Sequence, residues 1–406
     1  MSAHNAQLRV LQSFPHKIGA TRICDTAWHQ AAGVSATGTD LLVMSGAVQP
    51  DRPLPAKIQV RPTLARGKLR IPYKVLGQMR ACKLHDRLVA RALPKLADEI
   101  DLVHLWPLGA LETLRVARKL GIPTVLERPN AHTRFAYEVV QAECERLGVS
   151  LPADHEHAFN EEILRREEAE YEIADRLLCP SEFVVQTFLD KGSRPEQLVR
   201  HLYGYDDQRF HPPSTQRAAS EGITILFVGV CAVRKGLHFA LEAWLRSPAS
   251  TTGTFLIAGE FLPHYAEYLK DMLDHPSVHA LGHRTDVPDL MRRSDALVLP
   301  SIEEGFGLVC VEALASGCIP LVSDACTDVC RDGENAFVHR VADIDALTAQ
   351  LTALNEDRGL LQRMRDASLR SAPDYTWTEA GLRLVDVYEH VVAEHGPRRA
   401  PVAHAA

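Results

Sequence analysis

The chain has 406 residues, too many for one hydrophobic core, so two domains are expected. With 46% hydrophobic, 24% charged and 6% aromatic residues it has the composition of a folded globular protein, which excludes fibrous and disordered classes. A formal net charge of -7 argues against a nucleic-acid partner.

From the N-terminus, MSAHNAQLRVLQSFPHKIGA has no charged start followed by a long apolar run, so no secretion signal is read. No stretch approaches the roughly 18 apolar residues needed to span a bilayer, and a cytoplasmic location is expected. LRVLQS (8–13), DLLVMSG (40–46), DLVHLW (101–106), PTVLE (123–127) and RLLCPS (176–181) read as strands. ITILFVG (223–229), TFLIAG (254–259), VHALG (278–282), ALVLPS (296–301) and IPLVSD (319–324) follow. Most are continuous apolar runs, as in parallel strands covered on both faces. Amphipathic stretches such as LETLRVARKLG (111–121) alternate with them as helices, with Gly121 as a stop. ADHEHAFNEEILRREEAEYE (153–172) reads as a charged helix whose His155, Glu156 and His157 are solvated at its start rather than bound to metal. Periodicity lapses in FHPPSTQRAASEG (210–222), the expected boundary. TWTEAGLRLVDVYEHVVAEH (376–395) closes the pattern as an amphipathic helix opened by a Thr cap, followed by a frayed tail. Nine cysteines stand without CxxC spacing and read as reduced, with Cys310 and Cys318 as buried hydrophobes. The fold class is therefore α/β with two doubly wound parallel sheets, whose ligands bind beyond the carboxyl ends of the strands.

Four strand-to-helix loops carry the candidate chemistry. FPHKIGATRICD places Gly19 at a tight turn before a helix. VLERPNAHTRF puts His132 at a strand's carboxyl end, which sets it ahead of His104 in LVHLW, a second candidate that reads as core. FVGVCAVRKG sets Arg234 and Lys235 beside a helix start, where two cations can neutralise a diphosphate. PSIEEGFGLVCVEALASG (300–317) holds Glu304 in a loop and Glu312 in the following helix, eight residues apart. Gly305 and Gly307 let the backbone approach a ligand, and free amides at the helix start favour an anion. Hydroxyls at both ends and phosphates between them describe a nucleotide-sugar. The structural alternative makes Glu303 and Glu304 solvated loop charges and Glu312 a salt-bridge partner.

These residues resemble the retaining glycosyltransferases of family 4, which have the GT-B fold of two facing Rossmann-like domains around a cleft. PSIEEGFGLVCVEALASGCIPLVSD is similar to the family's E-x7-E signature, with Glu304 and Glu312 as its glutamates. FVGVCAVRKG, ADRLLCPSEFVVQTF and LYGYDDQRFHP resemble the donor-domain opening and the end of the first domain. The resemblance implies an acceptor-side domain over 1–213, a nucleotide-sugar donor domain over 214–376, a helix at 377–395 packing back on the first domain, and a flexible tail at 396–406. It implies Glu312 on the ribose hydroxyls and Glu304 on the transferred sugar. It further implies that Phe306, Gly307 and Leu308 offer amides, that Arg234 and Lys235 hold the diphosphate under the Gly19 loop, and that His132 stands on the acceptor side. No metal or cofactor beyond the donor is implied. Val230 stands where the family often has Arg, so Arg234 is expected to supply that charge, and the glycine loop reads Gly19-Ala20 rather than two glycines.

The acceptor, a glycan, lipid-linked or small molecule, is not legible. Residues 56–93 carry Lys57, Arg61, Arg66, Lys68, Arg70, Lys74, Arg80, Lys83, Arg87 and Arg91 against Asp86 alone. This reads either as a solvated helical face or as a peripheral dock for the anionic inner face of a membrane. Rival functions are a GT-B epimerase or phosphorylase and a non-catalytic nucleotide-sugar-binding scaffold. No lysine suited to pyridoxal phosphate is apparent, and a scaffold has no need of the paired glutamates and cations.

Overall fold

The structure is a computed structural model that describes residues 8–66, 69–70, 76–214 and 221–396. The first domain is built on seven parallel strands: β1 (Arg9–Ile18), β2 (Asp40–Val48), β3 (Gln59–Pro62), β4 (Leu102–Leu105), β5 (Thr124–Glu127), β6 (Arg176–Cys179) and β7 (Leu198–Arg200). Their spatial order is β3-β2-β1-β4-β5-β6-β7. The second domain repeats the plan with β8 (Thr224–Val228), β9 (Thr254–Ala258), β10 (Val278–Gly282), β11 (Ala296–Leu299), β12 (Ile319–Ser323) and β13 (Phe337–His339), ordered β10-β9-β8-β11-β12-β13. In both sheets the winding reverses beside the first strand. The crevices that take ligands in such sheets therefore open between β1 and β4 and between β8 and β11.

Helices α1 (Ile23–Ala36), α2 (Gln78–Leu96), α3 (Leu111–Leu120), α4 (Thr133–Leu147), α5 (Glu161–Ile173), α6 (Leu237–Arg246), α7 (Leu308–Ser316) and α8 (Trp377–His395) pack on these sheets with further, mostly shorter helices. The expected strands all form; the central ones are largely buried, whereas β10, at a sheet edge, exposes His279 and Ala280. Among the described residues of the two large sheets, three strands were not anticipated: β3, β7 and β13. Each is short and lies at a sheet edge, where one flank needs no apolar cover and the signal is weak.

Thr376 caps α8 by accepting from the Glu379 amide, and the helix then crosses back over the first domain. Its Leu384, Tyr388 and Val391 join Val10, Phe14 and Ala31 in one cluster. The crossing needs two glycines, since a Cβ on Gly381 would lie 2.5 Å from the Gly33 carbonyl carbon. The core of the second domain, in turn, takes in Val140, Cys144 and Val149 from α4 and the loop after it, so the two domains are in direct contact.

The basic segment is not one helical face. It divides into β3, a small hairpin of Ala65–Arg66 with Leu69–Arg70, and α2. Lys68 and Lys74 lie outside the described residues. Lys83 pairs with Glu162, and Asp86 is buried, accepting from the Glu112 and Thr113 amides that open α3. Lys57, Arg61, Arg80, Arg87 and Arg91 are exposed. The expected charged helix at 153–172 also begins later than its composition suggests. Asn160 caps α5, and residues 153–160 form a loop.

Candidate active site

β11 is wholly buried and delivers Pro300 into a loop that runs to the start of α7. The turn after β8 lies against it, with Ile302 donating its amide to the Arg234 carbonyl at 2.9 Å. This contact explains Gly236, whose Cβ would fall 1.9 Å from the Pro300 carbonyl oxygen. Lys235, on that turn, is ion-paired with Glu304, and Arg234 stands 3.6 Å from the same carboxylate. Glu304 is 6% exposed. Burial alone would raise its pKa, but Lys235 and Arg234 together hold it below the usual carboxylate range. Both cations are thus committed to carboxylates, not free as a surface pair would be.

Glu303 has no solvent exposure at all. It accepts from the Ala131 amide at 3.1 Å, meets His157 Nε2 at 3.2 Å and lies 3.3 Å from Arg234 Nη1. Burial would raise this carboxyl, yet Arg234 and then His157 bring it down to about 2. His157 is correspondingly buried, contrary to its expected place among solvated charges, because the loop before α5 seats it against the second domain.

Gly305 was expected to bring backbone to a ligand. In the structure it brings backbone to the other domain: its Cβ would stand 1.6 Å from the Pro129 carbonyl oxygen, and the Gly305 carbonyl accepts from Ser181 Oγ at 2.6 Å. Its amide is already given to Glu304 Oε1 at 3.2 Å. Gly307 adopts φ 67° and leads into α7, so the amides of Phe306, Gly307 and Leu308 surround the helix start. The Phe306 ring is buried edge-on against Tyr203 and the Leu308 side chain packs on the core, so only their backbone can serve a ligand.

His132 lies across the interface at the start of α4. Its Nδ1 accepts from the Arg134 amide at 3.2 Å, which leaves the ring proton on Nε2. Burial, with Arg128 next, pushes its pKa down to about 3, so the imidazole is neutral. Glu312 is partly exposed on α7. Burial lifts its pKa to about 7, with Arg209 pulling it down and Asp206 pushing it up. Arg209 also lines an open cavity of about 510 Å³ with Gly19, Ala20, Thr21, Arg22 and Arg52. Gly19 turns there at φ 82°, its absent Cβ sparing the Arg52 carbonyl and the Trp28 ring, each 3.1 Å away.

The structure therefore gathers Glu304, Lys235, Arg234 and the Gly305–Gly307 backbone against the His132 loop. Glu312 and Gly19 stand at the Arg209 side of the same cleft. Glu303, His157, Gly236 and Arg209 were missed by sequence reasoning. The Glu303-Glu304 doublet and the His-Glu-His run were the available signals, but neither shows which member is buried.

Residues 222–357 match the family model described as Glycosyl transferases group 1. The chain is 31% identical over 359 residues to the D-inositol 3-phosphate glycosyltransferase of Salinispora arenicola, covering 80% of this chain and 76% of that protein. It is 31% identical over 207 residues to the glycogen synthase of Mycobacterium tuberculosis; this covers 48% of the chain and 49% of that enzyme, so the chain spans about half the length of that relative. Among solved structures, sucrose-phosphate synthase from Thermosynechococcus elongatus superposes with a TM-score of 0.70 at 16% identity, over 95% of this chain and all of that one (100%). Anabaena Alr3699/HepE in complex with UDP and glucose gives 0.62 at 16% identity, over 94% of this chain and 100% of its own.

Proposed function

From the premise that the chain belongs to the GT-B glycosyltransferases, we propose that it is a retaining, metal-independent enzyme of family 4 type that moves a sugar from a nucleotide-diphosphate sugar to an acceptor. The observation that carries this reading is the buried Glu304–Lys235 ion pair at the switch point of the second sheet. A bound diphosphate offers Lys235 a doubly charged partner and draws it off Glu304. The freed carboxylate then accepts from the hydroxyls of the transferred sugar, while Glu312 accepts from the ribose. Lys235, Arg234 and the amides of Phe306, Gly307 and Leu308 supply the positive field that the departing phosphate needs, the role a metal would otherwise fill. The Gly19 loop closes over the phosphates, and His132 donates from Nε2 to the sugar on the acceptor side.

The acceptor hydroxyl attacks from the face the phosphate leaves. The C1–O(acceptor) bond forms as the C1–O(phosphate) bond breaks, and the departing phosphate oxygen takes the acceptor's proton. The glucose and UDP held by the Anabaena neighbour support a donor of this class, and the inositol phosphate in the name of the Salinispora relative supports a small polyol or its phosphate among the possible acceptors. No helix among the described residues is long and apolar enough to cross a membrane. The exposed cations between Lys57 and Arg91 support a peripheral contact with an anionic surface, in the cytoplasm.

A panel of nucleotide-sugars incubated with the protein in EDTA tests the reading through release of nucleoside diphosphate. Slow hydrolysis of one donor is expected. Silence across the panel, with no thermal shift from any donor or from UDP, GDP or ADP, would overturn it in favour of a non-catalytic scaffold.

A further inference from the structure

Glu303 plays no part in the chemistry just described, yet it is the most completely enclosed carboxylate of the cleft. Its three partners come from both domains. Ala131 and His157 approach from the first, Arg234 from the second. Arg234 is doubly fixed on it, since Nη1 also donates to the Glu303 carbonyl at 2.9 Å. The neighbouring contacts share the pattern: Glu143 of α4 meets His238 Nε2 at 2.8 Å and Ser150 meets His264 Nδ1 at 2.5 Å. The stretch from α4 through the loop before α5 is thus a strap laid over the second domain, with His157 at the end nearest the reaction centre. Val230 leaves no cation directly after Gly229, so Arg234 and Lys235 are the cations of this loop.

Building on the transferase reading, we infer that Glu303 is a positioning residue that makes domain closure and the placing of Arg234 one event. When the strap is down, Glu303 is held by Ala131 and His157 and presents a fixed carboxylate to Arg234, which then stands beside Glu304 where the sugar–phosphate bond must break. When the strap lifts, Glu303 loses both partners from the first domain. It then turns to water or wholly to Arg234, and the guanidinium is no longer aimed. Catalytic alignment is thereby confined to the closed cleft, where bulk water has been excluded.

The test uses Glu303→Gln, His157→Ala, His157→Gln and the Glu303→Gln/His157→Ala double variant. Glu303→Gln and His157→Ala should each lower kcat by about tenfold to a hundredfold. Donor affinity should not weaken: Glu303→Gln removes a carboxylate beside an anion site and leaves its positive charge in excess, and His157→Ala removes no group placed on the donor. The double variant should be no worse than the poorer single one, and His157→Gln, whose amide nitrogen replaces Nε2 as donor, should recover most of the rate. Additive losses, equal loss of affinity and rate, or unchanged rates would overturn the inference. Small-angle scattering of the unliganded protein reads the strap without reference to turnover: His157→Ala should expand the molecule, and identical curves for wild type and variant would also overturn it. A wild-type protein inert towards every donor would instead count against the transferase reading, leaving the scattering result to judge the clasp.

Discussion

At the scale of the residue, two glutamates eight residues apart, Glu304 and Glu312, are held in different electrostatic states. Glu304 is kept ionised by the cations beside it, whereas burial lifts the carboxyl of the partly exposed Glu312 to about 7. Glu304→Gln retains the lysine charge, so donor binding should persist while kcat falls by about 10² to 10³; Lys235→Ala should lose both. Steady-state kinetics together with donor titration separates these outcomes. For Glu312 the folded pKa, about 7, stands above the unfolded value of 4.5. Below 4.5 both states are protonated and nothing is lost, whereas stability falls as pH rises from there through 7. Glu312→Gln should therefore melt higher than wild type at pH 8, by on the order of 2 kcal/mol, and match it near pH 4. Its affinity for donor should be weaker and flat with pH, where that of wild type rises from pH 6 to 8. Equal melting at pH 8 would show that Glu312 is not strained by burial. These two carboxylates stood out in the sequence by their spacing and the glycines beside the first. Glu303 did not, because the groups that bury it, Ala131 and His157, lie 172 and 146 residues away in sequence.

Among elements, the close approach of another backbone accounts for Gly236, Gly305 and Gly381. Gly305→Ala would drive a methyl into the Pro129 carbonyl, a backbone atom that can retreat only if the domains part. Turnover should fall at least as far as in the His157→Ala variant while each domain's secondary structure, read by circular dichroism, is kept. Gly381→Ala should lift α8 off α1 and lower the melting temperature by an amount equivalent to about 1–3 kcal/mol. Unchanged melting would mean that the helix crossing is looser than its 2.5 Å approach implies. Central strands were readable because parallel strands covered on both faces leave unbroken apolar runs. Edge strands β3, β7 and β13 left no such run. Residues 153–160 carry the charges of a helix but follow Pro152 and precede the Asn160 cap, and that placed the helix start too early on composition alone.

For the whole molecule, both sheets carry a switch-point crevice, and contacts such as Ala131–Glu303, His157–Glu303 and Ser181–Gly305 bring the loops of the two domains together. The second domain brings Glu304, Glu312 and the cations; the first brings His132, the Gly19 loop and the strap that meets Glu303. The presence of two sheets was legible from the two sets of apolar strands on either side of residues 210–222. How firmly the two halves meet was not, because contacts such as His157–Glu303 leave no local pattern. The most direct test of the account is the anomeric configuration of the first product, followed by proton NMR as it forms in EDTA from the donor that the panel identifies. An anomeric proton with the donor's own configuration, appearing in step with nucleoside diphosphate, is the predicted result. A product of inverted configuration, or turnover only after a divalent metal is restored, would contradict same-face transfer at a site whose positive charge comes from Lys235 and Arg234.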